Sequence, residues 1–415
     1  MRRRTFLCGA LGAGWLAGQG RGRQWGALAY MLADGLWARD LPEGAPLRVA
    51  AGTDLAVPRI SPSGAWISYH RGETTWVAPR AGWAAHEVAK GASVWRSERD
   101  ELALDGDQAL DGEQGLSFYG PANGWTAPLR SIAGASLPVV FSPDGRELAF
   151  ARRTRDGMGL LRRAAIEGGA ARVVVSSHGD ALIPYAWVGG QILYWLDPGF
   201  SASLAADGLE LYRVPAAGGD PQSLGVKTLL HGDFLAPSPD GRRLAAADGF
   251  GRESWSNKRL RVIDRAEGTS RYLTDERTAA ICPAWSPDGS RLAYVALPEG
   301  LDRGEGPERR FLGKRRIWIA DAAGGSAPVQ LTYDDRYRDE EPAWLDASHL
   351  LFCRIEHAAG DAKSIWRMDD RGGDLTRIAG PLAAGDTFEG EGWFGYYGTI
   401  DWRASMDYHR VVSSA

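Results

Sequence analysis

Cysteine is scarce in this chain, with three in 415 residues. That excludes a disulfide scaffold, which needs a short and cysteine-dense sequence. Histidine is also sparse. His70, His86, His178, His231, His349, His357 and His409 are scattered without metal-ligand spacing. Only His349 and His357 fall close enough in sequence to be considered a pair. Positive charge is not in excess. The formal net charge is −4, which argues against nucleic acid as the partner, since that needs a basic face. A hydrolase elbow of the form G-x-S-x-G is absent. Past the N-terminus no stretch carries a helical period of useful length, and no motif calls for a cofactor.

Glycine and tryptophan are abundant, with 54 and 17 residues. Their placement explains why. Cys282 to Val295 reads CPAWSPDGSRLAYV. An apolar stretch ends in Trp285, a Ser286-Pro-Asp288-Gly289 turn follows, and a period-2 strand leaves it. Pro presets φ, Asp bonds its own backbone and Gly takes the left-handed conformation, so the segment predicts a β-hairpin. The serine has a backbone-satisfying place in this turn and is not read as a nucleophile. The phrase returns with Ser142, Asp144 and Gly145, with Ser238, Asp240 and Gly241, and with Ser61 and Gly64. Decayed copies surround Ser97, Val188 and Leu345. The spacing averages about 47 residues, the length of a propeller blade. Room remains in each unit for two further strands, such as 316–321 and 329–332 in the sixth. Four antiparallel strands per unit, repeated radially, predict an all-β propeller.

The recurrent W-S-P-D-G-x-x-L-A-[YF] phrase resembles the TolB-like, WD-like β-propeller repeat family, over most of the chain. The resemblance implies an envelope-associated scaffold. Related propellers of the prolyl-oligopeptidase class share the hairpin but carry a hydrolase domain, for which this chain has no room. The N-terminal domain of TolB itself also has no counterpart here. Some relatives are polysaccharide lyases with clustered His and a metal, and no such cluster is visible in this sequence.

Residues 28–31, 36–40 and 47–49 match the second, third and fourth strands of a blade whose first strand is missing, while 397–405 matches a first strand that stands alone. Pairing 24–51 with 397–405 closes the ring and gives eight blades, with 406–415 as a tail. At about 48 residues per blade this suits the repeat better than the alternative of seven. The contiguous units are 56–91, 92–134, 135–179, 180–231, 232–275, 276–333 and 334–380.

The start, Arg2-Arg3-Arg4 with Phe6-Leu7 and a short apolar run over 8–18, reads as an export signal over residues 1–22 of twin-arginine type. The run is too short to span a membrane. This predicts a periplasmic or extracellular protein. The alternative is a cytoplasmic protein with a basic tail.

Connections from second to third strand lengthen in the later units, at 196–207, 248–258, 297–314 and 356–363. They must emerge on one end of the ring, where binding is expected. Arg252, Trp255, Arg309, Arg310, Phe311, Tyr337, Arg338, Trp393 and Phe394 are the candidate contact residues there, being the types that dominate interfaces. The acidic link Asp334, Asp335, Asp339, Glu340, Glu341 reads as a charged loop in preference to a calcium site. Cys282 and Cys353 are expected to be buried free thiols on neighbouring blades. The expected function is a monomeric, non-catalytic scaffold that binds a protein or peptide, or a small-molecule or sugar ligand. The alternative is a polysaccharide lyase or hydrolase, or a sugar-binding propeller, acting at the channel mouth.

Overall fold

A computed structural model describes residues 25–80, 84–106, 115–299, 310–383 and 398–410. They form eight four-stranded antiparallel sheets. Seven are contiguous in sequence: blade 1 spans Leu55–Lys90, blade 2 Ser93–Ala133, blade 3 Val139–His178, blade 4 Ala181–Thr228, blade 5 Leu235–Tyr272, blade 6 Thr278–Gln330 and blade 7 Tyr337–Ala379. Blade 8 is composite. It joins Gly26–Leu32, Gly35–Leu41 and Leu47–Ala51 to the C-terminal strand Met406–Arg410.

The eight-bladed reading holds, but the closing strand is not the one the sequence suggested. Gly26 lies opposite Arg410 and Tyr30 opposite Met406, so residues 406–410 belong to the ring and not to a tail. Of the stretch 397–405, the described residues 398–405 fail as a strand for a local reason. The Asp401 side chain accepts the Arg403 N–H and nucleates a 3-10 turn over Trp402–Ala404, which ends the extended backbone.

The turns are built from the side chains that the repeat supplies. Ser286 Oγ donates to Asp288 Oδ1 at 2.5 Å and accepts the Arg291 N–H at 2.9 Å. Asp288 Oδ1 also accepts the Ser290 N–H at 3.0 Å. These bonds to its charged form hold the Asp288 carboxyl down at about 2. Gly289 has φ of +69°. The copies at Ser142/Asp144 and Ser238/Asp240 repeat the pattern, with Gly145 and Gly241 at φ +65° and +66°. In blade 1, Ser63 stands where Asp would be and accepts the Ala65 N–H at 3.0 Å. Ser61 Oγ there accepts the Trp66 N–H, and Gly64 has φ of +74°.

Where the motif carries its tryptophan, the repeat hooks its neighbour. The Trp285 indole N–H donates to Ala236 O of blade 5 at 2.7 Å, and Trp344 donates to Ala284 O of blade 6 at 3.0 Å. Arg243 lies 4.7 Å above the Trp285 ring and donates to Gly289 O at 2.7 Å. Arg291 repeats this on Trp344, 4.8 Å above the ring, with Ala347 O as acceptor. The tryptophans of the motif are therefore inter-blade hooks capped by a guanidinium. The hydrophobic core lies between the blades. Ala149 and Leu161 of blade 3, for example, pack with Leu182, Ile192 and Tyr194 of blade 4, all at most 1% exposed.

A Cβ on Gly289 would approach Arg243 Nη2 at 3.2 Å at a positive φ. Gly289→Val should therefore cost about 1–2 kcal/mol or more, seen as a lower denaturant midpoint. Gly190→Ala, at a turn with open space around the new Cβ, should cost much less. Equal midpoints for the two variants would sink this account of the turn.

Candidate functional site at the propeller axis

The innermost strands line a central channel, and the chain crosses it. Residues 398–405 run from the link before the closing strand over the axis. The Arg403 carbonyl accepts from Arg59 Nη1 of blade 1 at 2.6 Å, while the Arg403 guanidinium donates to Asp233 at 2.6 Å just before blade 5. Blades 1 and 5 face each other across an eight-membered ring, so Arg403 bars the channel.

The bar is seated by charge. Glu340, 4% exposed, sits on the innermost strand of blade 7. It accepts from Arg315, from Arg338 Nε at 2.7 Å and from the Trp402 indole at 3.0 Å. Arg315 and Arg338 both donate to Gly398 O, at 2.7 and 3.2 Å, and Arg315 donates to Ser254 Oγ at 2.7 Å. Beside them Arg354 grips Asp339 through two bonds, at 2.6 and 3.0 Å. Burial alone would raise the Glu340 carboxyl; Arg338 and Arg315 more than offset it and hold it down at about 2.

Next to the bar lies a cavity of about 520 Å³, lined by Tyr185, Trp195, Asp233, Cys282, Glu341 and Arg403 among others. Its shape follows from a repeated irregularity. In the innermost strands of blades 1, 6 and 7 the register slips by a bulge, at Ala56/Arg59, Ile281/Ala284 and Glu340/Ala343. The extra residue, Val57, Cys282 or Glu341, takes φ of +54°, +53° or +50°. A proline follows each time, so the bulge orphans no N–H there. Burial, and then the Asp233 carboxylate, raise the Glu341 carboxyl well above the ordinary range. Burial likewise raises the Cys282 thiol and lowers His231, whose Nδ1 is 3.5 Å from Asp233 Oδ2. A half-buried acid without a partner, beside a paired one, is the kind of arrangement found at functional sites.

The residues named from sequence are scattered by the fold. Arg338 belongs to the axial network and is 2% exposed. Trp255 is 8% exposed and packs with Ala279, Leu297 and Leu312. Both point inward and present little to a partner. Tyr337 is half-buried beneath Arg354, 4.4 Å from its guanidinium. Arg252 ties two loops, donating to Asp207 at 2.8 Å and Ser203 at 3.1 Å. Arg310 and Phe311 open a short 3-10 helix, Arg310–Lys314. Arg309, Trp393 and Phe394 lie outside the described residues. All but Glu341 of the acidic link are paired within the protein: Asp334 with Arg336, Asp335 with Lys314 and Arg316, Asp339 with Arg354, and Glu340 with Arg315 and Arg338. His349 and His357 lie at opposite ends of the strand they flank, each beside its own aspartate, Asp346 or Asp361. Among the described residues no three His, Cys, Asp or Glu converge to hold a metal ion. Cys282 and Cys353 are free thiols, and Cys353 touches Met406 Sδ at 3.3 Å. Sequence reasoning missed Tyr185, Asp233 and Arg403, and took Glu341 for part of a charged loop.

No protein-family model and no curated protein sequence matches this chain. Solved structures do. A prolyl endopeptidase aligns with a TM-score of 0.52 and 11% identity, over 79% of this chain and 50% of its own. A eukaryotic initiation factor aligns with 0.52 and 12%, over 86% and 96%. A TolB from Agrobacterium tumefaciens aligns with 0.38 and 14%, over 94% and 100%. At such identities the likeness is one of fold, and the chain is a β-propeller protein. It spans half the length of the prolyl endopeptidase it matches.

The two neighbouring glutamates should respond oppositely to pH. The Glu340 carboxyl is depressed, so its stabilisation is present above about 4.5 and fades as pH falls towards 2. Glu340→Gln leaves two buried guanidiniums short of a counter-ion and should cost about 3–5 kcal/mol at neutral pH. The Glu341 carboxyl is raised, so wild-type stability falls as pH climbs from about 4.5 to its folded value. Glu341→Gln should therefore melt higher than wild type at pH 7 and equally at pH 4. Thermal melts across pH 3–8 test both signs, and a lower melt of Glu341→Gln at pH 7 would refute the assignment.

Proposed function

We propose that this protein is a non-catalytic binding scaffold outside the cytoplasm, which recognises a protein or peptide at the long-loop end of the ring. One observation carries the reading. Three large apolar side chains stand exposed on that end, on neighbouring parts of the ring: Leu204 at 46%, Phe250 at 64% and Tyr333 at 69%. Leu204 and Phe250 lie on the second-to-third strand connections of blades 4 and 5, and Tyr333 on the link between blades 6 and 7. In a four-stranded antiparallel blade these connections emerge together. Exposed apolar groups on a rigid support are what a protein partner buries.

The support is rigid because polar groups pin it. The Lys258 ammonium, fully buried, donates to the carbonyls of Phe250, Gly251 and Ser256 at 3.1, 3.0 and 3.3 Å. Arg252 joins the loops of blades 4 and 5. A pre-ordered platform loses less entropy on binding. A scaffold role is also supported by the axis, where Glu340, Asp339 and Asp233 are held in internal pairs with guanidiniums. The lyase or hydrolase reading would have to rest on Glu341 with those groups already engaged. Extracytoplasmic placement is supported by the Arg2-Arg3 start and the apolar run after it, which lie outside the described residues.

Phe250→Ser with Tyr333→Ser should leave the melting temperature unchanged. It should weaken capture of an envelope partner at least about tenfold. A partner held equally by both proteins, or none held by wild type, would overturn the reading. For the location, Arg2→Lys with Arg3→Lys should leave the chain in the cytoplasm, and recovery in the envelope fraction would remove the twin-arginine assignment.

A further inference from the structure

Glu341 has no hydrogen bond or ion pair among the described residues, unlike the other carboxylates at the axis. Asp233 and Glu340 are matched by guanidiniums, Asp401 and Asp407 by the backbone N–H groups of Arg403 and Ile60. Glu341 is half-buried and lines the open cavity. Even a half-buried carboxylate without a partner is costly. So is its backbone, a non-glycine residue at φ +50°.

The fold does not ask for an acid at this position. The same bulge slot holds Val57 in blade 1 and Cys282 in blade 6, each followed by proline. The bulge recurs in blades 1, 6 and 7; the carboxylate is particular to blade 7. The adjoining wall is aromatic, with Tyr185 and Trp195 packed edge to face at 5.1 Å. The Tyr185 hydroxyl is already engaged with Leu235 O at 2.7 Å, so these rings offer chiefly their apolar surfaces. The one guanidinium lining the cavity, Arg403, is committed to Asp233. An anion entering here would meet Asp233 and Glu341 with no free positive charge. A cation would meet an unmatched carboxylate beside aromatic surface.

We propose that the axial cavity binds a cationic head group, an ammonium or guanidinium on a short apolar stem, with Glu341 as its counter-ion and Tyr185 and Trp195 as its wall. At about 520 Å³ the cavity lies within the range of small-ligand sites, roughly 300–1,000 Å³. The head group belongs to a free amine or to a basic side chain of a peptide. None of Leu204, Phe250 and Tyr333 lines the cavity, so the proposal does not rest on the loop platform.

Calorimetric titration of the full chain tests this directly. The probes are n-butylamine, butylguanidine and the peptide Gly-Arg-Gly, set against n-butanol, galactose and Gly-Gln-Gly. At least one cationic probe should bind saturably while its neutral counterpart does not. Glu341→Gln should weaken that binding at least about tenfold, and Glu341→Asp, which keeps the charge, should weaken it less. Binding of the free amines marks a small cation as the ligand, and binding of Gly-Arg-Gly alone marks a basic peptide. No cationic probe bound, neutral probes bound equally well, or unchanged affinity in a folded Glu341→Gln would each overturn the proposal.

Discussion

The ring depends on one antiparallel pairing, that of Met406–Arg410 with Gly26–Leu32. Without it the blades would form an open arc with two bare sheet edges, the condition that favours edge-to-edge aggregation. The pairing brings together segments from the two ends of the chain. A contact of such sequence separation has a high loop-closure cost and forms late. Gly26 shows how close the approach is: a Cβ there would fall 2.2 Å from His409 O. The new edge is then buried by Leu28 and Tyr30 of blade 8 packing against Leu351, Cys353 and Ile355 of blade 7.

Closure also determines what fills the axis. The strand that closes the ring is an innermost strand, so the residues before it are delivered to the channel. Residues 398–405 become the bar for this reason, and a bar of backbone in a protein interior must have its polar groups matched. Gly398 O receives two guanidiniums, Glu340 receives two guanidiniums and an indole, and Arg403 is held at both its carbonyl and its side chain. Buried ion pairs are weak contributors to net stability. Their directional bonds do define a single seat for the segment, and that seat sets the shape of the cavity beside it.

Much of the fold was legible because its information is local. The Ser-Pro-Asp-Gly turns act within a few residues, as in Ser286 Oγ to the Arg291 N–H. The blade count followed from counting them, and the strands at 26–51 were readable from alternation alone. The axial site was not legible, since Asp233, Glu341 and Arg403 converge from three distant parts of the chain. Ile400 and Trp402 alternate as strand residues do, but the turn that Asp401 caps breaks the strand, and tertiary packing then seats the segment at the axis. Arg338 and Trp255 were singled out by residue type, and type does not tell an inward guanidinium or indole from an outward one. The exposed Phe250 and Tyr333 were missed for the converse reason: exposure is a property of the finished surface.

One signal for the axis was in the repeats themselves. Aligned on their turns, blades 1, 6 and 7 read Val57-Pro58, Cys282-Pro283 and Glu341-Pro342. All three first residues share the left-handed bulge, so the backbone requirement is the same and the side chain is left free to vary. A repeat architecture in this way separates two demands that compete at most sites. The hooks and turns that hold neighbouring blades are fixed by the motif, and the hooks engage backbone carbonyls, such as Ala284 O, which leaves the side chain in the bulge slot free to vary. A costly residue placed in such a slot disturbs the ring little. The unpartnered carboxyl of Glu341 answers no need of the fold, and a need that lies outside the fold is the remaining physical reason for an acid to stand there.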